Sequence, residues 1–257
     1  MDTIYRETKL TASISPSFII VIAFISFFIV SKGAVSAMGG KNTILNEDAF
    51  TLQRKQMVER QIANRGVADK RVLDAMESVP RHLFIPEENR HYSYFDNPLP
   101  IGYGQTISQP YIVAFMTELL QPDEDAVVLE IGSGSGYQAA ILAKMVKQVY
   151  TIEIVEELGL RAKEQLQTMG FDNVEVRIGD GYNGWPEHAP FDAIIVTAAT
   201  EKIPQPLIDQ LKPSGRMVIP VGGVYEIQEL ILITKDASSN VVKKSIIPVR
   251  FVPLIRK

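Results

Sequence analysis

The chain has no cysteine in 257 residues. Disulfides, thiolate metal sites and a cysteine nucleophile are therefore excluded, and cysteine usage says nothing about redox compartment. Histidine is nearly as scarce. His82, His91 and His188 are too scattered for a metal-ligand spacing, so no metal is expected. Charge of one sign is not in excess either. The 26 Lys and Arg stand against 30 Asp and Glu, a net of −4, which argues against a general nucleic-acid binder. Internal repeats and long low-complexity tracts are missing. What remains is enough chain for one α/β domain of ordinary size, with a core that needs no covalent staples.

The longest hydrophobic run is short for a membrane span. Phe18 to Val30 is an apolar run broken only by Ser26, but a comfortable span needs roughly 18 residues or more. Small residues follow at Val35-Ser36-Ala37, as at a cleavage site. Upstream, Arg6 and Lys9 are offset by Asp2 and Glu7. The segment reads best as a secretory signal peptide. An uncleaved anchor using Ile14 to Val30 is the alternative, and a start codon assigned too far upstream is a third. Gly39-Gly40-Lys41-Asn42-Thr43 reads as a linker that separates it from the domain.

From Glu47 the pattern turns helical, with Phe50, Met57, Val58 and Ile62 near one face and Gly66 as a stop. Asp69 caps a second predicted helix carrying Val72, Leu73 and Met76, which Pro80 ends. Pro86 to Gln109 reads as a long loop, and Tyr111 to Leu120 as a helix. Short apolar runs then alternate with helical periodicity. Strands are predicted at Val127–Ile131, Val149–Ile154, Val174–Ile178, Phe191–Val196 and Arg216–Pro220. Helices are predicted at Tyr137–Val146, Glu156–Met169 and Pro204–Leu211. Leu230–Thr234 and Val241–Arg250 read as a late antiparallel pair. Such alternation implies an α/β fold, a doubly wound and mostly parallel sheet covered on both faces. Its ligands belong beyond the carboxyl ends of the strands.

Glu130-Ile131-Gly132-Ser133-Gly134-Ser135-Gly136-Tyr137 falls at such an end. Its glycines let the backbone turn sharply and approach a ligand. The dinucleotide fingerprint would need a glycine where Tyr137 stands, which weakens a nucleotide-binding oxidoreductase reading. Glu130 would repel a diphosphate but suits a ligand with a cationic amino-acid tail. Glu153 ends the next strand and can accept ribose hydroxyl protons, although an adenine dinucleotide would use it equally. Asp180, between Gly179 and Gly181, can accept an adenine amino proton. Each feature alone has a bland explanation, a tight turn or a solvated acid. Three at successive strand ends point to an adenosine-bearing ligand.

Longer motifs carry a resemblance. Val128 to Ala140, with Tyr137-Gln138-Ala139-Ala140 after the glycines, resembles the first motif of protein-L-isoaspartate methyltransferases. Pro98 to Pro110 is similar to that family's substrate loop, and Val79 to Pro86 to its N-terminal helical region. Gly179-Asp180-Gly181, Pro190 to Ala199 and Val249 to Leu254 follow in order. The similarity covers roughly residues 50 to 257. It implies a Rossmann-like class I methyltransferase fold over 47–257, following a hydrophobic segment and linker over 1–46. Residues 47–120 would be the N-terminal helical extension and substrate loop, and 121–257 the cofactor-binding core.

The resemblance also implies a chemistry. S-adenosylmethionine would be the methyl donor, and the acceptor the α-carboxyl of L-isoaspartyl residues in damaged proteins. Ser108 would be the active-site serine, with Gln105, Thr106 and Arg250 toward the substrate. Glu130, Gly132, Ser133, Gly134, Gly136, Glu153, Asp180, Gly181 and Gln228 would serve the cofactor. No G-x-S-x-G elbow frames Ser108, so a hydrolase is disfavoured. A methyltransferase for another carboxylate or a small molecule, and a non-catalytic module that keeps the fold, are the other readings. Damaged proteins and peptides are the expected partners, with no nucleic acid, a monomeric form, and membrane contact only through the N-terminal segment. A cytoplasmic working site follows from the resemblance, against an exported or anchored one through residues 14–37.

Overall fold

In the computed structural model, which describes residues 47, 49–223 and 226–256, the helical pattern after Glu47 runs through residues 49–65. Its Val58–Ile62 turn is wound as a π-helix. Gly66, at φ 100°, closes it, a left-handed conformation that glycine adopts without steric cost. The N-terminal segment predicted as signal or anchor lies outside the described residues. Among the described residues no helix is long and apolar enough to cross a membrane.

Helix α1 (Lys70–Ser78) starts as expected, with the Asp69 carboxylate accepting from the Arg71 backbone N–H. The stretch read as one long loop is more ordered than that. It holds a 3-10 turn over Glu87–Tyr92 and a hairpin of β1 (Leu99–Gly102) and β2 (Gln105–Ile107). Leu99 pairs with Ile107 and Pro100 with Thr106. Tyr103 and Gly104 turn the hairpin with φ of 55° and 70°, as tight two-residue turns require. Proline in β1 and a three-residue β2 leave too little alternation for a strand reading. The hairpin delivers the chain to α2 (Pro110–Leu120), which has proline at its first position.

The α/β core then alternates: β3 (Val127–Ile131), α3 (Tyr137–Ala143), β4 (Gln148–Glu153), α4 (Glu156–Thr168), β5 (Val174–Ile178), β6 (Phe191–Val196), α5 (Gln205–Asp209) and β7 (Leu211–Val221). The long strands β8 (Gln228–Lys235) and β9 (Val241–Val249) complete a seven-stranded sheet of order β5-β4-β3-β6-β7-β8-β9. Strands β3 to β7 pair in parallel, whereas β8 and β9 add antiparallel. The late antiparallel pair is therefore present. Strand β7 begins before the predicted Arg216, because a register irregularity against β6 carries Leu211 to Gly215 along the sheet.

Along β3, Val128 enters one hydrophobic core and Leu129 and Ile131 the other; in β6, Ala193 and Ile195 oppose Ile194 and Val196. Apolar residues on both faces are what a sheet covered by helices on two sides demands. Strand order reverses at β3, since β4 lies on one side and β6 on the other. The carboxyl ends of β3, β4 and β6 therefore frame a crevice, and the glycine loop sits there.

Candidate active site

The turn after β3 is held by backbone and side chain together. The N–H groups of Gly132 and Ser133 both donate to the Ile152 carbonyl, at 2.8 and 3.3 Å, and Gly136 N–H donates to Ser133 O at 2.7 Å. Gly132 has φ 98°, and a Cβ there would stand 2.5 Å from Thr197 Oγ1. The position therefore excludes a side chain on both conformational and steric grounds. Gly134 has φ 52°, and its N–H donates to Glu153 Oε2 at 2.7 Å.

Glu153 Oε1 accepts from Val155 N–H at 2.9 Å. Each of the two carboxylate oxygens thus keeps acceptor capacity beyond the bond that orders it. Asp180 Oδ1 accepts from Tyr182 N–H at 2.9 Å, and its Oδ2 lies 3.7 Å from Arg256 Nε. The Arg256 guanidinium covers the Tyr182 ring at 3.8 Å. Gly132, Gly134, Glu153 and Gly181 line one cleft with Gln105 and Thr106. Ser133, Gly136 and Glu130 stand behind its wall. The Ser133 hydroxyl meets Thr151 Oγ1 at 2.6 Å, and Gly136 packs against Ala162 and Leu166. Gln228 is not on that wall either. Its amide is spent on Phe251, donating to the carbonyl at 3.0 Å and accepting from the N–H at 2.6 Å. It thereby anchors the C-terminal segment, whose residues Val252 to Ile255 do line the cleft.

A second cleft adjoins the first. Ser108, Thr106 and Arg250 line it, with Thr197 and Val252. Thr106, Thr197 and Val252 are common to both clefts. The hairpin strand β2 thus carries Gln105 toward the glycine loop and leads directly to Ser108 beside Arg250. An adenosine-sized ligand at the strand ends and an acceptor at Ser108 would meet across this shared wall.

A model of the protein-L-isoaspartate(D-aspartate) O-methyltransferases matches residues 52–257. The chain belongs to this family. A protein-L-isoaspartate O-methyltransferase 2 of Syntrophobacter fumaroxidans is 51% identical over 90% of this chain and 96% of its own length. Another from Polaromonas is 57% identical over 81% of this chain and 97% of its own. Among solved structures, a protein-L-isoaspartate O-methyltransferase superposes with a TM-score of 0.71 at 29% identity, covering 77% of this chain and 65% of its own. One from Plasmodium falciparum, described as a putative member in complex with S-adenosyl-L-homocysteine, gives 0.67 at 28% identity over 79% and 99% of the two chains.

In this member of the isoaspartate methyltransferase family, Glu130 is the most perturbed acid. It is fully buried, and burial pushes its carboxyl up to about 8, against the bond from Thr151 that favours the anion. Thr151 Oγ1 donates to Oε2 at 2.5 Å, and Oε1 has no partner among the described residues. The nearby Glu153 charge adds a smaller push in the same direction. A carboxyl whose pKa is raised on folding contributes stability fully below its unfolded value, near 4.5, and loses it as pH rises through about 8. The ligand-free protein should therefore lose roughly 2–5 kcal/mol between pH 5 and 8.5 through this group. Glu130→Gln should flatten that part of the profile in urea unfolding. Parallel profiles for the two proteins would show that Glu130 does not titrate in this window.

Sequence reasoning passed over Thr197, whose hydroxyl reaches Gly132 O at 2.7 Å and Ile131 O at 3.0 Å. Its position at the end of β6, beside the switch strand β3, was the available signal. The segment Val252 to Ile255 carries no periodicity that would place it over the glycine loop. Two backbone bonds do so: Ala199 N–H to Val252 O at 2.8 Å, and Leu254 N–H to Ala199 O at 2.7 Å. Of the aromatic residues in the stretch before β1, Tyr94 is buried on His82, whereas Tyr92 and Phe95 are exposed.

Proposed function

We propose that this chain is a repair enzyme that transfers a methyl group from S-adenosylmethionine to the α-carboxyl of L-isoaspartyl residues in damaged proteins. One observation carries the reading: the glycine-loop cleft and the Ser108–Arg250 cleft share Thr106, Thr197 and Val252. A donor and an acceptor held in separate clefts with a common wall are what an in-line transfer needs. The residues suit the donor. Gly132 and Gly134 hold the positive-φ turn that brings backbone to the cleft wall, and Glu153 retains lone pairs for ribose hydroxyls. Asp180 and Gly181 suit the adenine end.

S-adenosylmethionine, when bound, supplies a methyl group activated by its sulfonium. The chain's residues then have to orient rather than ionise. An isoaspartyl carboxyl is already an anion at neutral pH, so no general base is required. The Ser108 hydroxyl donates to that carboxylate and fixes its line of approach. Arg250 is exposed at the cleft. It attracts the anion through solvent, too weakly to hold it in a ground state that resists attack. Gln105 and Thr106 close the wall between the two ligands. After transfer, a backbone amide nitrogen of the isoaspartyl segment displaces methanol from the ester to close a succinimide, which water can open to aspartate.

The same reading assigns the activity to residues 47–257, in a monomer acting on proteins and not on nucleic acid, in the cytoplasm, where S-adenosylmethionine is made. The purified chain should methylate a peptide containing L-isoaspartate and leave the aspartate peptide of the same sequence unlabelled, with labelled S-adenosylmethionine as donor. Equal labelling of both peptides, or of neither, would reject the assignment.

A further inference from the structure

Arg81 is the largest fully buried side chain that the proposed chemistry does not use. It opens a 3-10 turn, Arg81–Phe84, at the end of α1. Its Nε donates to the Ser93 carbonyl at 2.9 Å, and its Nη2 to the Ser108 carbonyl at 2.8 Å. The guanidinium carbon lies 5.0 Å from the centre of the Tyr137 ring. Tyr137 is the first residue of α3, directly after the last glycine of the loop. Phe84, at the other end of the turn, meets the same ring edge to face at 5.5 Å. Nη1 has no partner among the described residues.

A buried cation costs stability, and an apolar side chain of similar volume would often serve the fold as well. What an apolar residue could not do is hold the Ser108 carbonyl. That carbonyl lies between the end of β2 and the start of α2, where strand and helix ladders both stop. The planar fork of a guanidinium can bridge two carbonyls in fixed geometry while its face rests on an aromatic ring. One side chain therefore touches the backbone of the orienting serine and the helix that leaves the glycine loop.

We propose that Arg81 is a positioning residue, which sets the place of Ser108 relative to the glycine loop and so the approach of the acceptor carboxylate to the donor. The inference rests on the orienting role of Ser108. Arg81 acts through the Ser108 backbone and touches neither ligand. Lysine at this position offers a point charge without the fork, so it can hold one carbonyl but not both in register.

The test introduces Arg81→Lys into the wild-type protein and into Ser108→Ala. It reads kcat and KM for an isoaspartyl peptide, S-adenosylmethionine affinity by calorimetry, and thermal unfolding. Arg81→Lys should lower kcat roughly 10- to 100-fold, as a small misplacement of a reacting group does. Affinity for S-adenosylmethionine should stay within about threefold. In the Ser108→Ala background the same change should cost less than about threefold more, because both substitutions remove one interaction. Arg81→Gln, which removes the buried charge, carries the same comparison if the lysine form does not fold. An equal loss in both backgrounds would overturn the proposal, as would donor affinity falling in step with kcat. Full activity in Ser108→Ala alone would instead overturn the role given to the serine.

Discussion

Ser108→Ala should lower the rate of methyl transfer by about 10²–10³, by analogy with removing a single oriented donor from a transition-state site. The fold of the acceptor loop should survive, because the serine hydroxyl does not hold it. The Ser108 carbonyl is held by Arg81, and the Gln109 side chain donates to Asp96 Oδ2 at 2.7 Å and to the Asp96 carbonyl at 3.0 Å. Affinity for S-adenosylmethionine should therefore change little. Ser108→Thr keeps a hydroxyl and should retain part of the activity. Since the incoming carboxylate is the nucleophile, no covalent adduct should form on Ser108. Initial rates with an isoaspartyl peptide, and mass spectrometry of the enzyme during turnover, check both statements. A kinetically competent adduct, or full activity in Ser108→Ala, would show that the serine has another role.

Glu153→Ala should weaken S-adenosylmethionine binding by roughly 1.5–3 kcal/mol, the range for charge-assisted hydrogen bonds. That corresponds to about 10- to 150-fold in Kd. The loss has two sources in the structure. Glu153 lines the cleft in which the proposed site seats the ribose, and it also receives the N–H groups of Gly134 and Val155. Removing it frees Gly134 at the point where the loop must be ordered for a ligand. Glu153→Gln should not rescue binding. Each carboxylate oxygen faces an N–H donor, so an amide NH₂ at either site would meet a donor instead of an acceptor. Calorimetric titration of the three proteins measures the effect. Unchanged affinity in Glu153→Ala would remove this residue from the cofactor site.

Local pattern and tertiary contact contributed differently to this site. The capped start of α1 at Asp69, the strand–helix alternation from Val127 and the positive-φ glycines of the loop are properties of neighbouring residues. Periodicity and glycine spacing report them directly. The hairpin of Leu99–Gly102 and Gln105–Ile107 was hidden because its strands are too short, and too rich in proline, to alternate visibly. Its register comes from the turn at Tyr103 and Gly104.

By itself, the sequence determined that carboxylates would stand at three successive strand ends around a glycine turn, since strand direction and length follow from local apolar runs. Only the tertiary structure decided what each residue does there. Glu130 is the penultimate residue of β3 and Glu153 the last of β4, yet one is sealed behind the loop with an oxygen unpaired among the described residues, and the other lines the cleft. Gln228 is occupied by Phe251, 23 residues away, and the Ser108 carbonyl by Arg81, 27 residues away. The C-terminal residues Val252 to Ile255 reach the glycine loop across the whole core. Such pairings depend on how the sheet and its helices close in space, and no period along the chain encodes a contact between segments that distant.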